Sequence, residues 1–84
     1  MHDLHVADQI FRLVLAEAEK NKLKKVAQIN IEIGSVLEHG ATIAPENLKF
    51  NIEMLSRGTL AEGSSVVIES VAGSLWNLIS IGGE

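Results

Sequence analysis

Residues 26–34 read Val26-Ala27-Gln28-Ile29-Asn30-Ile31-Glu32-Ile33-Gly34. Ile29, Ile31 and Ile33 alternate with Asn30 and Glu32, the period-two pattern of a strand with one face in a core and the other in water. β-Branched side chains along one face favour the pleated conformation, and Gly34 ends the run. On the amino-terminal side the period changes. Ala7, Ile10, Phe11, Val14 and Ala18 recur at three- and four-residue spacing, with Val6 and Leu13 widening the stripe. Asp8, Arg12, Glu19 and Lys20 fall opposite, so residues 4 to about 22 are predicted to form an amphipathic helix. Asp3, just before it, is suited to an N-cap.

On the carboxyl-terminal side, residues 35–44 read as a loop containing His39-Gly40, and Pro45-Glu46 opens a second helix that runs to about Arg57. Leu48, Ile52 and Leu55 form its core stripe, with Phe50 and Met54 placed beside it. Gly58 stands where a left-handed C-cap is wanted. Residues 59–64 connect to a β-rich segment, 65–71, with Val66 and Ile68 on one face and Val67 and Val71 on the other. Ala72-Gly73-Ser74 reads as a tight turn and residues 75–81 as a closing strand. The order α-β-α-β-β predicts an α+β fold, two helices packed on one face of a three-stranded sheet. One domain over residues 1–84 is expected. A chain of this size buries only roughly 60% of its unfolded surface, so oligomerisation would be an unsurprising aid.

Charge and composition exclude several functions. Seven Lys and Arg stand against eleven Asp and Glu, a net charge of −4. A nucleic-acid partner is therefore not expected. Four of the seven basic residues, Lys20, Lys22, Lys24 and Lys25, lie within six positions, where they read as complements to a helix dipole. No apolar run approaches the roughly 20 residues of a membrane span, and the start lacks the basic residues of a secretory signal. A soluble, cytoplasmic protein is expected. There is no Cys, which removes disulfides, thiolate metal sites and cysteine nucleophiles. No phosphate-cradling loop or serine-elbow context is present, and Glu32, Glu38 and Glu53 are scattered over strand, loop and helix. The chain is not expected to be an enzyme.

What remains is histidine chemistry. The terminal amine of Met1, the deprotonated amide of His2 and the His2 imidazole can close two fused chelate rings on one ion. Such a planar nitrogen set suits Ni(II) or Cu(II) better than tetrahedral zinc. A fourth donor would come from Asp3, His5, water or another chain. Spacing alone favours the plainer reading of a frayed terminal His2, a solvated or edge-packed His5 and a solvent-facing His39.

Taken whole, the chain resembles the HypA/HybF family of hydrogenase maturation nickel metallochaperones. The matching residues are Met1-His2-Asp3-Leu4, Val26 with Ile31-Glu32-Ile33-Gly34, and Pro45-Glu46 with Leu48 and Phe50. They continue through Glu53, Leu55-Ser56, the run Gly58-Thr59-Leu60-Ala61-Glu62-Gly63, and Ser80-Ile81. The resemblance implies a nickel site on Met1 and His2, with Asp3 in place of the family's usual Glu and His5 as an additional candidate. It implies delivery of Ni(II) toward a [NiFe]-hydrogenase large-subunit precursor with a GTPase, HypB, as partner. The family's zinc subdomain, with two Cys-x-x-Cys pairs, belongs between the last two strands. Here that place, about residues 72–74, has no cysteine, so no zinc is expected in this chain. Gly82-Gly83 replaces bulkier family residues and is expected to weaken the end of the last strand. The competing expectation is a metal-independent interaction module, or a homodimer formed by strand exchange through the short junction.

Overall fold

The computed structural model describes residues 4–35, 37–38 and 41–84. Helix α1 (Leu4–Lys20) leads into β1 (Val26–Ile33), a two-residue pair β2 (Leu37–Glu38) and β3 (Ala41–Thr42), helix α2 (Pro45–Ser56), then β4 (Ser65–Ser70) and β5 (Trp76–Gly83). The main sheet has the order β4-β1-β5, and both helices lie against one face, as the α-β-α-β-β reading requires. The small pair β2-β3 falls within the segment read as loop, with Leu37 opposite Thr42 and Glu38 opposite Ala41. His39 and Gly40 lie outside the described residues, as do Met1, His2, Asp3 and Val36.

β1 is the centre of the sheet. It pairs in parallel with β4, Ile29 opposite Val66 and Ile31 opposite Ile68, and antiparallel with β5, Ile29 opposite Ile81. Ile29, Ile31 and Ile33 are buried against Ile10, Val14, Leu48 and Ile52. Each such burial contributes about 1.5–3 kcal/mol. The other face is wet and polar, with Asn30 donating to Ser80 Oγ across the strands (3.0 Å). Two register shifts adjust the pattern. Two β1 steps from Val26 to Gln28 oppose one on β5, and one step from Asn30 to Ile31 opposes two from Ser80 to Leu78. These bulges let Val26 and Ile29, and likewise Leu78 and Ile81, face the core at a spacing of three.

The segment read as a tight turn is not a hairpin. β4 and β5 lie on opposite sides of β1, so residues 71–75 cross over its end, a span of two strand spacings or about 9.5 Å. Turn composition alone cannot distinguish this crossing from a hairpin, because both use Gly and Ser. Val71 N–H donates to Ile33 C=O (3.0 Å), Gly34 N–H to Leu75 C=O (2.8 Å) and Ser35 N–H to Gly73 C=O (2.8 Å). A Cβ on Gly34 would stand 2.5 Å from the Gly73 carbonyl oxygen. At its other end β5 runs through Gly82 and Gly83, and a Cβ on Gly83 would collide with the Lys25 carbonyl. Gly83 therefore permits close pairing with the start of β1, while a Cβ on Gly82 would meet only Gln28 Cβ at 3.9 Å, an ordinary contact.

α1 ends in a Schellman motif. Leu23 N–H donates to Ala18 C=O (2.9 Å) and Lys22 N–H to Glu19 C=O (3.0 Å), with Ala18 buried and Leu23 partly buried. The left-handed position, usually glycine, is Lys22 at φ 57°. On the helices three apolar residues read as widening or flanking the core stripes are exposed: Leu13 (45%), Phe50 (58%) and Met54 (46%). At about 100° per residue, Phe50 and Met54 lie roughly 120–160° from the buried line of Leu48, Ile52 and Ser56 and face away from the sheet. Leu13 instead borders the open side of β5.

Gly34→Ala is expected to destabilise the fold by about 1–3 kcal/mol in urea unfolding, because backbone rather than a flexible side chain must yield. Lys22→Gly should stabilise by roughly 0.5–1 kcal/mol, read as a rise in the thermal midpoint, since glycine takes the left-handed conformation without the Cβ penalty.

Candidate metal centre

In the sequence the candidate metal donors, Met1, His2, Asp3 and His5, lie at or just before the start of α1. His5 is exposed in its first turn. The helix is fixed directly behind it by Val6, Ala7, Ile10 and Phe11, all buried, so the chain before Leu4 leaves from an anchored element. Asp8, three residues after His5, is engaged by Arg12 Nε at 2.9 Å, an exposed i,i+4 pair contributing about 0.3–0.5 kcal/mol. The first turn itself contains no acidic residue. Among the described residues no group of three or more His, Asp or Glu side chains comes together as a metal site. His5 is thus the one sequence candidate whose position is described; Met1, His2, Asp3 and His39 lie outside.

The segment from Gly58 to Gly63 carries the most specific resemblance, and it is built as an anchor. Arg57 (φ −60°, ψ 132°) and Gly58 (φ 77°) form the corners of a type II turn closed by Thr59 N–H to Ser56 C=O (3.0 Å). Gly58 thus satisfies a turn rather than a simple helix cap. Thr59 Oγ1 donates to Ser56 C=O (2.6 Å) and accepts from Ala61 N–H (3.1 Å). Glu62 N–H donates to Thr59 C=O (3.1 Å) and Ser64 N–H to Ala61 C=O (3.1 Å), with Gly63 at φ 78°. Glu62 Oε1 accepts from Gly58 N–H (3.3 Å). Ala61 is completely buried, and Val26 N–H donates to Leu60 C=O (2.9 Å), which ties the loop to the first residue of β1. Ser64 Oγ is buried without a hydrogen-bond partner among the described residues. The shallow depression beside it is lined by Glu53, Ser56, Arg57, Glu62, Gly63 and Ser64.

Two surfaces were not legible as such in the sequence. One is a groove between Leu13 and Glu17 of α1, Asn21 just after it, and residues 77–81 of β5, open because β5 is a sheet edge. The other is the lysine-rich turn after α1. Only Lys20 lies in the helix's last turn, so the dipole accounts for one lysine of the four.

Comparison with known proteins gives consistent matches. Residues 1–77 match a family model described as HypA, hydrogenase/urease nickel incorporation, metallochaperone. A hydrogenase maturation factor HypA of Methanothermobacter thermautotrophicus is 38% identical over 71 residues, 84% of this chain and 55% of the relative. One from a Bradyrhizobium species is 37% identical over 78 residues, 93% of this chain and 66% of the relative. The chain thus spans between about half and two-thirds of the length of these relatives. The solution structure of the Ni metallochaperone HypA from Helicobacter pylori superposes with a TM-score of 0.76 at 14% identity, covering 96% of both chains, which shows a shared fold.

Thr59→Ala is expected to cost about 1–2 kcal/mol in thermal or urea unfolding, since it removes one bond and strands the buried Ala61 N–H, while metal affinity stays unchanged. A loss of nickel affinity without a loss of stability would show that this loop belongs to the metal site.

Proposed function

The chain belongs to the HypA family of nickel-incorporation metallochaperones, and from that premise we propose that it binds Ni(II) at its amino terminus and delivers it for maturation of [NiFe]-hydrogenase. The observation that carries this reading is the family match beginning at residue 1, which takes in Met1 and His2. The donors are the Met1 amine, the His2 amide nitrogen and the His2 imidazole, with Asp3 and His5 as further candidates. Three residues span at most about 10 Å, so a metal held there stays close to the first turn of α1. That turn has no acidic residue, and the positive end of a helix disfavours a dication by about 0.3–1 kcal/mol. Moderate holding at the amino terminus suits a carrier that must release its cargo.

No catalytic residue is needed for this role. Its partners are a HypB-like GTPase and a hydrogenase large-subunit precursor, met in the cytoplasm. No helix among the described residues is long and apolar enough to cross a membrane. No zinc is expected at the crossing, because residues 71–75 are Val71, Ala72, Gly73, Ser74 and Leu75, without a Cys, His, Asp or Glu. The chain is therefore read as a single nickel-binding unit. A second reading, a metal-independent interaction or strand-exchanging dimer module, draws support from β5. It pairs with β1 alone, and a five-residue crossing joins it to β4.

Isothermal titration of the untagged protein should show Ni(II) binding, with His2→Ala losing at least about tenfold in affinity. His5→Ala should have a smaller effect, and an amino-terminal extension should weaken binding because it converts the Met1 amine to an amide. Equal affinity in His2→Ala would move the site elsewhere. The absence of any nickel binding would leave the dimer reading.

A further inference from the structure

We propose that the basic turn formed by Lys20, Lys22, Lys24 and Lys25 docks an acidic surface of a partner protein. All four side chains are exposed. Among the described residues the single ion pair is Arg12 with Asp8, so none of the four is matched within the fold. The chain is otherwise acidic. Of its eleven Asp and Glu, three (Glu17, Glu19 and Glu84) border the turn, leaving eight elsewhere against only Arg12, Lys49 and Arg57. Counted with its three bordering carboxylates, the turn carries +1 and the rest of the chain −5, so the net-positive segment is the one that follows the carboxyl-terminal end of α1. An acidic surface is attracted to that segment and repelled by the rest, which fixes orientation.

A second, independent observation is the backbone of Lys22. It holds φ 57° at the Schellman position where glycine costs nothing. A lysine kept in a left-handed conformation is a local stability loss that the hydrogen bonds of the turn do not need. The backbone around it is well anchored, with Lys24 and Lys25 N–H both donating to Glu84 C=O (2.6 and 2.9 Å). The ammonium groups thus project from a fixed base.

The partner is a protein surface bearing carboxylates rather than a nucleic acid or a membrane. Glu17, Glu19 and Glu84 flank the lysines, so a nucleic-acid backbone or a flat anionic membrane would meet negative charge on either side. A compact acidic patch covers the lysines alone. Beside the turn, the groove holding exposed Leu13 and Ile79 offers the apolar contact that charge pairs by themselves lack. This proposal does not depend on nickel.

The test uses a fluorescent oligoglutamate peptide as probe, with an oligothymidylate of equal charge and phosphatidylserine vesicles in parallel, at low and physiological salt. The wild-type chain should bind the peptide more tightly than either alternative, and more weakly as salt rises. Lys22→Glu with Lys24→Glu should weaken peptide binding at least about tenfold, and Lys49→Glu on α2 by less than about twofold. Lys22→Gly separates folding from docking: its thermal midpoint rises while peptide binding falls by about twofold or more. Equal binding by the double variant, tighter binding to oligothymidylate or vesicles, or self-association at low salt abolished by the same substitutions would each overturn the proposal.

Discussion

Every strand of the main sheet is held by β1. β4 and β5 have no hydrogen bonds to one another, so the eight residues from Val26 to Ile33 carry both ladders of the sheet. The same strand supplies the centre of the core through Ile29, Ile31 and Ile33, and both its ends are clamped. At its start Leu60 C=O accepts from Val26 N–H; at its end the crossing segment lies over Gly34. Loss of β1 would leave β4 and β5 without a neighbour, and isolated strands have no stability in water. The remaining parts are arranged by this strand: α1 over the β5 side, α2 over the β4 side.

The elements were legible where a single physical signal dominated. The alternation in β1 fixed both of its ends, and Pro45 fixed the start of α2. Less was legible where two structures share one composition. Gly73 and Ser74 serve a crossing as readily as a hairpin, and only the pairing of β5 with β1 tells them apart. Bulges at Val26–Gln28 and near Ile79 break the two-residue period, so β5 runs two residues beyond the predicted end. Phe50 and Met54 read as lying beside the core stripe of α2, and the structure sets both of them away from Leu48 and exposed. Of the candidate metal donors, residue chemistry and the family resemblance pointed to Met1 and His2. Of those named, the structure describes His5 alone, exposed at the base of that segment.

On the proposed reading, α1 separates a metal site before its first turn from the docking lysines after its last, two cationic features that electrostatics would otherwise bring into conflict. Its 17 residues are about 25 Å long, beyond two Debye lengths at physiological salt. A cation bound before the first turn and lysines grouped after the last therefore interact negligibly. The helix that packs most of the core's apolar stripe also serves as the spacer that makes a cationic cargo compatible with a cationic docking surface.

The crossing over Gly34 has a consequence for how such a fold changes size. Its two ends emerge on either side of a central strand, held apart by β1 rather than by the loop itself. Chain inserted there would start and finish on separate, rigidly spaced supports, like a handle bolted at two points. The entropy of closing the loop is already met by the sheet, and lengthening it adds only about 0.6 kcal/mol per doubling. A second folding unit could be gained or lost at residues 71–75 while β4, β1 and β5 keep their order, which makes this edge of the molecule a natural seam between modules.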